Sequence, residues 1–88
     1  MPPFNYRNIT TATTTVVSSV PGVLHSVTIN TTAAGTITLY DNTAASGTKI
    51  ATIAASIASG TNVTFDVSFT TGLTVVTAAA SDITVSFK

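Results

Sequence analysis

The chain has 88 residues, 7% of them charged, with Arg7, Lys49 and Lys88 balancing Asp41, Asp66 and Asp82, and no glutamate. An ordinary soluble domain is roughly 25% charged, and a neutral chain has no long-range field to draw it to nucleic acid or an anionic membrane. No apolar run approaches the roughly 18 residues of a membrane span, and without cysteine there is no disulfide framework.

The opening MPPFNYRN lacks the basic and apolar regions of a secretory signal, so synthesis and assembly in a cytoplasm are expected. It also differs from everything after it. Its prolines disfavour ladder pairing and favour an extended course. Residues 1–8 are therefore expected to be an extended N-terminal arm, and residues 9–88 a single β-sandwich domain. Pro3, Phe4, Tyr6 and Arg7 would clasp a neighbouring subunit, since aromatics and arginine concentrate interface energy. A frayed terminus is the plainer alternative.

Beyond the arm, turn clusters recur at Gly22, Gly35, Gly47, Gly60 and Gly72, in steps of 13, 12, 13 and 12, with Ser81-Asp82 ten residues later. Glycine suits the positive-φ positions of tight turns. Between turns the side chains alternate. Ile37 and Leu39 oppose Thr36, Thr38 and Tyr40; Val63, Phe65, Val67 and Phe69 oppose Thr64, Asp66 and Ser68; Ile83, Val85 and Phe87 face together. Such alternation marks half-buried strands, and twenty threonines and ten valines favour them. Strands are expected near 11–18, 23–30, 36–41, 48–53, 62–70, 73–78 and 83–87. AASIAS, 54–59, reads as a strand extension or a helical turn.

Seven short strands with regular turns predict an all-β fold, an antiparallel β-sandwich of Ig-like or jelly-roll-like type. A small barrel is a related solution. A thin ice-binding β-solenoid would fit the glycine step but has little interior and normally needs cross-links. The core is built from small residues and only six aromatics, without tryptophan. So short a domain buries only about 60% of its unfolded surface, which favours an oligomer or a host surface.

The residues that could carry chemistry are few. His25, the only histidine, lies in VLHSVTI on the register of Val23, Val27 and Ile29, so a structural role is expected. A pH-sensitive contact or a ligand at a symmetry axis is the alternative. Serines, His25 and three aspartates could be combined into a triad, but no G-x-S-x-G elbow supports one. Asp66 and Asp82 occupy ordinary solvated positions rather than the poised pair of a glycosidase. The loop DNTAASG offers Asp41 and Asn42 either to a calcium ion, which normally wants several carboxylates, or to an Asx-type turn. No phosphate loop, zinc spacing or nucleotide fingerprint occurs. No cofactor is expected, and the chain is not expected to be an enzyme.

The runs PGVLHSVTINTTAAGTITLYDNTAASGTKIATI, 21–53, and VTFDVSFTTGLTVVTAAASDITVSF, 63–87, resemble small β-rich virion proteins of tailed bacteriophages. The segment GVLHSVTIN and the YDN-turn-SGT-x-I run carry most of the likeness, and no catalytic motif belongs to it. The resemblance implies a capsid- or tail-associated β-sandwich. The leading expectation is a capsid decoration, or cement, protein on the virion surface, bound to the major capsid protein. With so small a core, self-association as a homotrimer is expected. Phe4, Tyr6 and Arg7 would form its clasp, and loops such as 41–47 its contacts or tips. The alternative is a head-fibre or tail-associated structural module touching host glycans. That role needs an exposed aromatic platform, for which Tyr40 is the sequence's candidate.

Overall fold

A computed structural model describes residues 4–88 as eight strands. These are β1 (Asn5–Ile9), β2 (Thr14–Ser18), β3 (Gly22–Thr31), β4 (Ile37–Asp41), β5 (Thr48–Ile53), β6 (Asn62–Phe69), β7 (Leu73–Thr77) and β8 (Asp82–Phe87). All pairings are antiparallel: β1 with β8, β2 with β7, β3 with β6, and β4 with β5. The pairs are nested like the arms of one long hairpin. The contacts β3·β8 and β4·β7 then complete two four-stranded sheets, ordered β1-β8-β3-β6 and β2-β7-β4-β5. This order is the jelly roll, so of the two sandwich types anticipated it is the jelly roll that forms.

The two sheets make a slab of 30 × 30 × 17 Å, the thinnest dimension being two packed sheets with their outer side chains. One cluster fills the interior. Ile9, Leu24, Val27, Ile29, Ile37 and Leu39 meet Ile53, Phe69, Leu73, Val75, Ile83 and Val85. Phe69 is the single aromatic among these fully buried side chains, with Phe65 and Phe87 packed at the margin. Branched aliphatics suit this site because they stand stiffly from a pleated surface and interdigitate across a thin gap.

All seven anticipated strands are present, with bounds shifted by up to three residues. The eighth, β1, begins inside the segment 1–8 expected to be an arm and runs one residue past it. Asn5 to Ile9 pair continuously with Phe87 to Ile83, and Ile9 is only 4% exposed. The extended arm is therefore not what these residues form. The prolines precede the strand, so every residue from Asn5 to Ile9 keeps the N–H a ladder needs. Pro3 lies outside the described residues.

Two further expectations change at irregular positions. Strand β6 does not alternate to its end, because Asp66 adopts φ +52° and leaves Val67 38% exposed. The segment 54–59 is neither strand nor helix but turns, with Ser56 at φ +59° and Ile57 packed against the core. Among the glycines, Gly47 and Gly60 have positive φ. Gly72 is needed instead for close approach: a Cβ there would stand 2.7 Å from the Ser18 carbonyl oxygen and 2.9 Å from Thr43.

Candidate interaction surface

Four strands bring short polar side chains to the outer face of the β1-β8-β3-β6 sheet. Register aligns Asn8 with Thr84, Thr84 with Thr28, and Thr28 with Asn62. The Asn8 amide donates to Asp82 Oδ1 at 2.8 Å and to the Ile83 carbonyl at 2.8 Å. Asn30 donates to the same Asp82 oxygen at 3.2 Å and to the Thr84 hydroxyl at 3.1 Å, while Thr28 donates to Asn62. These cross-strand bonds pave the face with hydroxyl and amide groups, and its two carboxylates, Asp82 and Asp66, are each hydrogen-bonded within it. Tyr6, two residues from Asn8 along β1 and on the same face, is 74% exposed.

At one end of this face a bulge gathers a second cluster. Relative to β8, strand β3 carries an extra residue between Leu24 and Ser26. The bulge switches the alternation, so Leu24 and Val27 both point inward and His25 turns out. The expected register of His25 with Val23, Val27 and Ile29 therefore does not hold. His25 Nδ1 lies 2.6 Å from Asp66 Oδ1. An ionised carboxylate only accepts, so Nδ1 carries the proton of this bond. The Phe4 ring stacks on the imidazole, with centroids 4.0 Å apart and planes 10° from parallel. Lys88 Nζ stands 5.6 Å from the Phe4 ring centre.

Sequence reasoning missed the His25–Asp66 pair because it needs two irregularities at once. One is the bulge in β3, and the other is the left-handed Asp66 in β6. The pair has the geometry of the last two members of a catalytic triad. Among the described residues no serine hydroxyl is hydrogen-bonded to His25.

The six residues expected to make contacts do not form one site. Phe4 and Tyr6 share the outer face just described. Arg7, between them and Ile9, falls on the opposite side of β1, in register with the inward-facing Val85. It lines a groove of about 420 Å³ formed with residues 8–11 and 13–16, where the chain passes from β1 to β2. Asp41 and Asn42 belong to the other sheet, at the end of β4.

Asp41 is a brace rather than a free ligand. Its carboxylate accepts the N–H groups of Thr70 at 3.0 Å and Thr71 at 2.9 Å, with the Thr70 hydroxyl at 3.2 Å. The Thr71 and Thr70 amides hold the Asp41 carboxyl below the usual carboxylate range, outweighing its desolvation. Asn42 closes its own loop, donating to the Ser46 carbonyl and accepting the Thr43 N–H, each at 2.8 Å. Tyr40 is partly buried, so Tyr6 and not Tyr40 is the exposed ring.

All three aspartates are thus engaged: Asp41 with amides, Asp66 with His25, and Asp82 with Asn8 and Asn30. No family model, curated protein or solved structure matches this chain.

Proposed function

We propose that the chain is a capsid decoration, or cement, protein of a tailed bacteriophage, binding the major capsid protein on the outside of the shell. The observation that carries the reading is the pairing of a thin, eight-strand jelly roll with a sheet face paved largely in hydroxyl and amide groups, its few charges already hydrogen-bonded. Jelly rolls recur in viral coats, although the fold alone hosts other functions as well. A face with so few charges can be packed against many copies of a partner at very high local concentration. Its contacts are hydrogen bonds and short apolar groups, which salt screens little. Association as a homotrimer would add the burial that so small a core lacks.

Copy number per purified particle, measured by quantitative mass spectrometry against the major shell protein, tests this. A ratio near one-to-one, or a simple lattice fraction of it, is expected. A handful of copies per particle, or none, refutes the proposal.

A second reading is favoured by Tyr6. An exposed ring beside the Asn8 amide and the Thr84 and Ser86 hydroxyls is a platform on which a sugar ring can stack while its hydroxyls are bonded. That suits a fibre or tail-associated module contacting host glycans. Saturable binding to host envelope, lost in Tyr6→Ala, distinguishes it from a decoration protein that binds capsids alone.

A further inference from the structure

The jelly roll leaves four sheet edges, and three of them are irregular. Strand β6 carries the left-handed Asp66 and a register shift against β3. Strand β5 has a register shift opposite Leu39 and Tyr40 and exposes Lys49. Strand β2 shifts between Val16 and Ser18. Bulges, lysines and kinks of this kind keep edges from pairing with other chains. Strand β1 has none of them. Its five residues run in unbroken register with β8, and Asn5, Tyr6, Arg7 and Asn8 are all exposed. Among the described residues no backbone group bonds to its other side.

Beside that edge lies the groove at the β1–β2 passage, lined by threonines with Asn8, Ile9 and Val16, and Arg7 is the only charged side chain among its described residues. Among the described residues Arg7 has no ion-pair partner. A second copy of this chain is a poor source of one, because each of the three aspartates is already held within its own fold. Charge complementarity therefore selects a different chain.

We infer that β1 is a docking edge for an extended segment of another protein, which adds as a fifth strand to the sheet and places a carboxylate against Arg7. Backbone bonding supplies the affinity of such strand addition, and the side chain opposite Arg7 supplies selectivity. The inference goes beyond the decoration reading, since it holds wherever the protein works.

The test uses two blocked heptapeptides of alternating threonine and valine, one with a central glutamate and one with a central lysine. Each is titrated into the isotopically labelled protein while backbone amide shifts are followed. Perturbation confined to β1 and the 10–16 segment is expected, with the glutamate peptide favoured by about fivefold, the scale of an exposed ion pair. Arg7→Glu should reverse the preference and Arg7→Gln abolish it. A glutamate peptide N-methylated at alternate positions should not bind, because it cannot pair. The inference is overturned if neither peptide binds at millimolar concentration, if the shifts fall on another edge, or if the N-methylated peptide binds equally well. Concentration-dependent shifts in β1 without any peptide would make a second copy the occupant and overturn it too.

Discussion

Asp66 Oδ1 lies 2.6 Å from His25 Nδ1, and it gets there because Asp66 sits at φ +52°, a conformation that an L residue with a Cβ seldom adopts. The hydrogen bond and the Phe4 stack above it offset a backbone cost of about 1–2 kcal/mol. Substitution separates the two. Asp66→Ala loses the bond and keeps the strain, whereas Asp66→Gly loses the bond and relieves it. In urea titrations Asp66→Gly should be the more stable of the two by about 1 kcal/mol. Equal midpoints would mean that the left-handed turn is not maintained in solution.

Gly72 is held by space and Gly60 by conformation, so the same substitution fails for different reasons. Gly72→Ala drives a methyl toward the Ser18 carbonyl and Thr43, and should cost about 1–3 kcal/mol through forced backbone shifts. Gly60 has φ +86° and open space around its Cα, so Gly60→Ala should cost about 1 kcal/mol from strain alone. Denaturant midpoints that rank Gly60→Ala below Gly72→Ala would contradict this packing of the β6–β7 turn against β2.

Asp41 gives the fold an acid-sensitive joint. Its carboxyl titrates lower when folded than its ordinary 3.8, because the Thr71 and Thr70 amides favour the charged form. Since the folded value is the depressed one, the stabilisation is complete above the unfolded pKa and is lost as pH falls through the folded pKa. Asp41→Asn should therefore flatten the acid limb of stability below about pH 4. Amide exchange should quicken at Thr70 and Thr71 in the variant. An unchanged acid limb would mean that the Thr70 and Thr71 amides do not hold the Asp41 carboxylate in solution.

Much of the fold was legible, and the illegible parts share a cause. Alternation such as Ile37-x-Leu39 and Ile83-x-Val85 is a local signal, and it located seven strands, with the inward faces of β4 and β8 but not all of those of β3 and β6. The jelly-roll order is not local: β1 meets β8 across most of the chain, and no short pattern encodes that pairing. Strand β1 itself was hidden because NYRNI has one buried aliphatic, Ile9, and follows two prolines. The bulge at His25 left only one trace, since Leu24 and Val27 are both core residues although three apart. The contact residues suffered from the same limit. Asp41 looks like an exposed loop acid until the distant Thr70 and Thr71 amides are brought onto it.

Whether residues 5–9 act as a strand or as an arm is decided by comparing two neighbours. Were residues 5–9 unpaired, as an arm over residues 1–8 implies, neither Ile9 nor Tyr6 would matter much for folding. In the β1 strand they differ. Ile9 is buried between the sheets beside Ile83, so Ile9→Ala should cost about 2–4 kcal/mol of unfolding free energy through lost burial and a residual cavity. Tyr6 points to solvent, so Tyr6→Ala should stay within about 0.5 kcal/mol of the parent. Deleting residues 1–7 would then expose β8 as an edge and destabilise the domain itself, not merely its attachment. Equilibrium urea unfolding of the two single variants separates the cases, and equal small effects would return the segment to an arm.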